Sequence, residues 1–161
     1  MQARFIPVGS VQQLSLVGLE ISVRAGTRDT GGALTVLEQV VPRGAGSPLH
    51  TTREDKVLTV VEGFIHVQLG SEEQRLGPGA TAVIPRGTPH RFHNSEATPA
   101  RFLMLVLPGG HELFLSALAQ LQARGALTPQ TMAELGQQYG VAVLPESPAG
   151  DGREAERSAT R

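Results

Sequence analysis

The chain has 161 residues, 14 basic and 15 acidic, and a formal net charge of -1. That length supplies one sizeable hydrophobic core, and the balanced charge leaves no electrostatic footprint for nucleic acid or an anionic membrane. With no cysteine, disulfides, thiolate metal sites and a cysteine nucleophile are excluded, so any metal would have to be held by His, Asp or Glu.

From Leu14 to Leu107 the chain reads as short β-type runs: "LSLVGLEISVRA", "ALTVLEQVV", "KVLTVVEG", "FIHVQLG", "TAVIP", "RFHN" and "RFLMLVLP". They are rich in Val, Leu, Ile and Thr and are separated by turns such as Gly31-Gly32, Gly44-Ala45-Gly46 and Gly77-Pro78-Gly79. "GTRDTGG" and "GSEEQ" are expected to be turns between strands. Short strands in succession without helices between them indicate a sandwich or barrel. With five Phe and one Tyr, aliphatic side chains are expected to fill it.

After Pro108 the pattern becomes helical. Leu113, Phe114, Ala117, Leu118 and Leu121 recur at helical spacing up to a stop at Gly125. In "TPQTMAELGQQYG", Thr128 is the expected N-cap, Pro129 the first helical residue and Gly140 the terminator. "AELGQQYGVAV" has the look of half a helix-turn-helix, but "LPESPAGDG" follows it and cannot form a recognition helix. The expected domain is 1–145, with the barrel at about 14–107 and helices at about 110–140; residues 146–161, with little to bury, are expected to be a flexible tail. The N-terminus carries no basic segment followed by an apolar run, and no apolar stretch approaches the roughly 18 residues that span a bilayer. A cytoplasmic location follows as the expectation.

Two segments carry the chemistry. In "GATAVIPRGTPHRFHN", Gly79, Pro85, Gly87, His90 and Asn94 stand at the intervals G-x5-P-x-G-x2-H-x3-N. This resembles the second motif of the cupin superfamily at every specified position. Upstream, "GAGSPLHTTREDKVLTVVEG" resembles the first cupin motif, G-x5-H-x-H-x3-E-x6-G, at Gly44, His50 and Gly63, while Thr52 stands in place of the second His and Lys56 in place of the Glu. The similarity runs over about 27–144 and includes flanks like those of small single-domain cupins similar to quercetin dioxygenases. It implies an all-β jelly-roll (double-stranded β-helix) barrel, a pocket within and, as is frequent in the family, a homodimer; the two C-terminal α-helices read above are expected to pack outside the barrel.

Strand alternation turns positions 50 and 52 to one face, and the turn "PRGTP" brings His90 toward them. Three imidazoles and a carboxylate would suit iron, manganese, nickel, copper or zinc. Here His50 and His90 are the remaining candidate metal ligands, fewer than the three protein ligands usual in a stable catalytic site. The Lys56 ammonium would repel a divalent ion by several kcal/mol at an effective dielectric near 20. Tight metal binding is therefore not expected, and a divalent ion at low occupancy is the most the set allows. Rescue by Glu54, Asp55 or His93 is disfavoured, since His93 has opposite strand parity to His90 and the two carboxylates read as a solvated turn.

The expected ligand pocket is thus His50, Thr52, Lys56 and His90, suited to a carboxylate, phenolate or phosphate. A desolvated Lys56 is the candidate catalytic base or nucleophile, and a lysine snorkelling to solvent is its bland alternative. His66 reads as part of a polar strand face and His111 as a surface residue near a helix start. Three functions stay open on the sequence: a small-molecule-binding cupin, a dioxygenase-like or isomerase-like metalloenzyme, and a sensory or structural dimer module. Neither nucleic acid nor membrane is an expected partner.

Overall fold

The computed structural model describes residues 3–145; the expected tail at 146–161 lies outside them. A 3₁₀ turn at Val8–Ser10 leads into strands β1 (Gln12–Leu16) and β2 (Leu19–Ala25), a one-turn helix α1 (Thr27–Thr30), and strands β3 (Thr35–Val41), β4 (His50–Thr52), β5 (Asp55–Glu62), β6 (Ile65–Leu69), β7 (Glu72–Leu76), β8 (Thr81–Ile84), β9 (His90–His93) and β10 (Ala100–Leu107). Helices α2 (His111–Ala123) and α3 (Pro129–Tyr139) follow, and a short strand β11 (Val141–Val143) closes the described chain.

Three local expectations change. The first β-type run is a hairpin, because Val17 and Gly18 both take positive φ (48° and 80°), the backbone of a tight two-residue turn. "GTRDTGG" forms α1 rather than a bare turn, and "EEQRL" forms β7, whose exposed, charged pattern hides it from a search for apolar alternation. α3 keeps its expected ends: the Thr128 hydroxyl accepts from the Thr131 amide, Pro129 is the first helical residue, and Gly140 ends it at φ 71°.

The strands form two antiparallel sheets, β1-β2-β3-β10-β5-β8 and β11-β4-β9-β6-β7. β3 and β10 alternate buried and less buried positions along their whole length, the period-2 signature of one face turned to a core. That core holds Leu37, Val41, Leu58, Val60, Met104 and Val106 from the first sheet and Ile65 and Val67 from the second. Phe92 of one sheet meets Phe102 of the other edge to face, with centroids 5.0 Å apart. Aliphatic residues do supply most of the interior, with phenyl rings at the seam.

The helices are not simply packed outside. α2 buries Phe114, Leu115 and Leu118 against the core, and its polar side is tied to the first hairpin: Gln12 Nε2 donates to Ser116 Oγ at 3.1 Å and the Val17 amide to Gln122 Oε1 at 2.8 Å. Glu112, 4% exposed, takes hydrogen bonds from the amide and hydroxyl of Thr27, the hydroxyl of Thr35 and the Gly110 amide. Burial alone would raise its carboxyl; these donors outweigh burial and hold it below the ordinary value. Among the described residues no helix is long and apolar enough to cross a membrane.

Candidate functional site

Two strands of the second sheet and one of the first bring the chemistry together. His50 on β4 is the direct cross-strand partner of His90 on β9, and their rings sit 4.2 Å apart between centroids with a 50° tilt. The turn before β9 sets this up. Gly87, at φ 78°, adopts a conformation open to glycine, and its amide donates to the Thr52 carbonyl at 2.8 Å, tying the loop to β4. Downstream, Asn94 is 1% exposed; its amide donates to the carbonyls of Val41 (2.8 Å) and Thr98 (2.9 Å), and its carbonyl accepts from the Glu96 amide (2.8 Å). The motif's asparagine therefore clamps the β9–β10 connection onto β3 and is not a ligand.

Each imidazole is oriented in the same way. Nδ1 of His50 hydrogen bonds to the Pro48 carbonyl at 2.8 Å, and Nδ1 of His90 to the Thr88 carbonyl at 2.8 Å. A carbonyl accepts only, so the ring proton lies on Nδ1 and a lone pair on Nε2. Nζ of Lys56, on β5, lies 3.4 Å from His90 Nε2 and donates to it. Lys56 is 2% exposed and does not snorkel to solvent. Among the described residues no carboxylate lies within 4.0 Å of its ammonium.

Electrostatics follow from this burial. His50 is pushed down to about 2, mainly by burial and then by the charge of Lys56 and by His90. His90 falls to about 4 for burial and for Lys56. Lys56 itself drops to about 8 because its ammonium is desolvated, with Glu54 opposing the shift. At neutral pH the cluster is one cation beside neutral rings.

Two residues expected at the surface are buried here. His111, the first residue of α2, is 6% exposed and Glu54, between β4 and β5, is 5% exposed. His111 Nδ1 and Glu54 Oε1 are 3.9 Å apart, too long for a direct hydrogen bond. His111 is lowered to about 4 by burial and Lys56, against the pull of Glu54. Burial would raise the Glu54 carboxyl, but His111 and Lys56 beside it hold it below its ordinary value. His111 opens α2 and Glu54 lies between β4 and β5, so their approach is a long-range contact that local sequence does not reveal. Asp55 does face outward, its carboxylate bonded to the Arg86 guanidinium at 2.6 Å.

These groups open onto a cavity of about 400 Å³ between the sheets and the helices. His50, Lys56, His90, His111 and Gln39 provide its polar wall, and the rest is mainly Leu, Ile, Val, Phe and Met from β1, β2, β9, β10 and both long helices. Thr52, expected among the pocket residues, is 4% exposed but does not line the cavity; its hydroxyl donates to the Glu54 carbonyl at 3.2 Å. Gln39 is an addition. Its place between inward-facing Leu37 and Val41 was the available signal, a polar side chain on the buried phase of an apolar strand.

His50 and His90 alone are a sparse donor set for a divalent ion. The Nε2 of His90 that a metal would need faces the Lys56 ammonium at 3.4 Å. Among the described residues, the one group of three or more His, Asp or Glu with ligand atoms within 4.8 Å of one another is His66, Glu73 and His93. That group could hold a metal, and it stands on the opposite face of β9, as the parity of His93 requires.

A family model described as "Cupin_2: Cupin domain" matches residues 37–106. Residues 37–106 thus match a cupin domain, and the two-sheet fold around them is that of a cupin jelly roll. Among solved structures it is similar to an RmlC-like cupin from Shewanella frigidimarina at 18% identity, covering 70% of this chain and 96% of that one with a TM-score of 0.61. It is similar to KdgF from Halomonas sp. at 24% identity, covering 70% and 99% with a TM-score of 0.60. The polyketide cyclase RemF from Streptomyces resistomycificus aligns at 21% identity over 66% and 80% with a TM-score of 0.58. At these identities the likeness is one of fold. No curated protein matches the chain.

Proposed function

We propose that the protein binds a small organic anion, a carboxylate or phenolate on a largely apolar body, in the cavity beneath α2 and α3. The observation that carries this is the state of Lys56. Its ammonium has three donors, is 2% exposed, and bonds to His90 Nε2. The cavity it faces is otherwise mainly hydrocarbon. Leaving a buried cation without an anion is costly, and a ligand oxygen would accept the remaining donors as charge-assisted hydrogen bonds. His50, His90 and His111, neutral at pH 7, wall the head group off without adding charge. A volume of about 400 Å³ suits a compact ligand.

The test is a matched pair of probes, phenylacetate and its neutral isostere phenylacetamide, titrated calorimetrically into wild type and Lys56→Met. The acid should bind wild type at least tenfold tighter than the amide, and Lys56→Met should erase that preference. Equal affinity for acid and amide in wild type would remove the basis of the proposal.

A metal-dependent enzyme, dioxygenase-like or isomerase-like, is the second reading. It is favoured by one observation: His111 and Glu54 add a third imidazole and a carboxylate to the buried cluster, and His111 Nδ1 and Glu54 Oε2 are both without a hydrogen-bond partner. Solved cupin neighbours include the cyclase named above and a sugar phosphate isomerase from Silicibacter pomeroyi at 21% identity. Turnover of an acidic or phenolic substrate that stops with a chelator and returns with one ion would establish this reading.

A homodimer belongs to the same proposal. On the outer face of the first sheet Val36, Leu105, Val57 and Val83 are successive cross-strand partners on β3, β10, β5 and β8. Val83 is 64% and Leu105 36% exposed. Such an apolar row across four strands favours a second copy as its cover, and light scattering of a monomer at micromolar concentration would refute it.

A further inference from the structure

We propose that His66, Glu73 and His93 form a binding site for a transition-metal ion on the outer face of the second sheet, separate from the cavity. The sheet itself builds the site. His66 on β6 is the cross-strand partner of His93 on β9, and their rings stack nearly parallel, 4.9 Å between centroids with a 12° interplanar angle. Glu73 reaches in from β7, paired to β6 on its other side. Its Oε2 lies 3.3 Å from His93 Nε2 and its Oε1 3.9 Å from His66 Nδ1. All three ligand atoms lie within 4.8 Å of one another.

Tetrahedral zinc with imidazole and carboxylate ligands sets its donor atoms roughly 3.3 Å apart. One of the three edges, His93 Nε2 to Glu73 Oε2, already has that length, and the others are within 4.8 Å. Two imidazoles and one carboxylate select zinc, cobalt or nickel over calcium or magnesium. The residues are partly exposed, so water completes the coordination.

The surroundings support the histidines in their roles. With Nδ1 of His66 toward the ion, its Nε2 faces Glu96 Oε1 at 3.9 Å, where a carboxylate can fix the ring and strengthen its basicity. Glu96 is itself held by Arg75 Nε at 2.6 Å, and Arg75 is stacked over the Phe64 ring at 3.6 Å. Arg91 Nη2 stands 3.8 Å from Glu73 Oε2 and opposes a cation there, so it sets the affinity.

The test uses untagged full chain, stripped with a chelator and desalted, titrated with zinc by calorimetry and with cobalt by visible absorption. One ion should bind per chain, with a cobalt spectrum of nitrogen and oxygen ligation. His66→Ala, His93→Ala and Glu73→Gln should each weaken binding at least tenfold while circular dichroism stays native, and Arg91→Gln should tighten it severalfold. Histidine side-chain NMR localises the ion: of the five histidines, the resonances of His66 and His93 should move on zinc addition. Absence of saturable binding at about 100 μM would overturn the proposal, as would unchanged affinity in His93→Ala or movement of the His50 and His90 resonances instead.

Discussion

The amine of Lys56 lies 3.4 Å from Nε2 of His90, while Nδ1 of the same ring is bonded to the Thr88 carbonyl at 2.8 Å. The carbonyl fixes the tautomer, the tautomer presents a lone pair to the cavity, and the lone pair holds the ammonium. A backbone turn thus decides where the buried charge stands.

That charge makes anion binding depend on pH. Lys56 titrates at about 8 in the free protein, so affinity for phenylacetate should be level from pH 6.5 to 7.5 and then fall tenfold per pH unit above about 8. Calorimetry across pH 7 to 9.5 checks this. A level profile throughout would mean that another group carries the positive charge.

Lys56 should also lower stability at neutral pH. Its folded value lies below its ordinary 10.5, so the unfolded chain binds more protons between about 8 and 10.5, and unfolding free energy should rise with pH in that window. Lys56→Met should be more stable than wild type by about 1–3 kcal/mol at pH 7 and should lack the alkaline rise. Urea unfolding at pH 7 and 10 reads both effects.

The histidines act at the other end of the scale. His50, His90 and His111 all have folded values below 6.5, so their neutral burial contributes stability that is complete above the unfolded value and is lost as pH falls from 6.5 toward 4. The loss should be on the order of several kcal/mol, because up to three protons are taken up on unfolding. A urea midpoint unchanged between pH 7 and 5 would contradict it.

Asn94→Ala should cost about 2–4 kcal/mol, because it removes three hydrogen bonds and leaves the carbonyls of Val41 and Thr98 short of a donor. The loss should appear in thermal unfolding at every pH. If its effect were confined to ligand affinity, the residue would belong to the pocket instead.

The second motif was legible because Gly87, His90 and Asn94 lie within eight positions of one turn and one strand, although Asn94 clamps onto Val41 more than fifty residues away. Strand parity likewise gave His93 its outward direction. What sequence could not give was register, since nothing local says that His66 and His93 stand opposite each other across β6 and β9. Glu54 and His111 were misread for a related reason. The two approach each other across more than fifty residues of chain. β11 is only three residues long, too short for alternation to show.

That short strand has a consequence for access to the cavity. β11 pairs with β4, setting Val143 opposite His50 and Val141 opposite Thr52. The helical roof is therefore anchored at both abutments, through β10 at its start and through β11 at its finish, the latter to the very strand that carries a pocket histidine. A rigid swing of this roof would have to break the three rungs between β4 and β11.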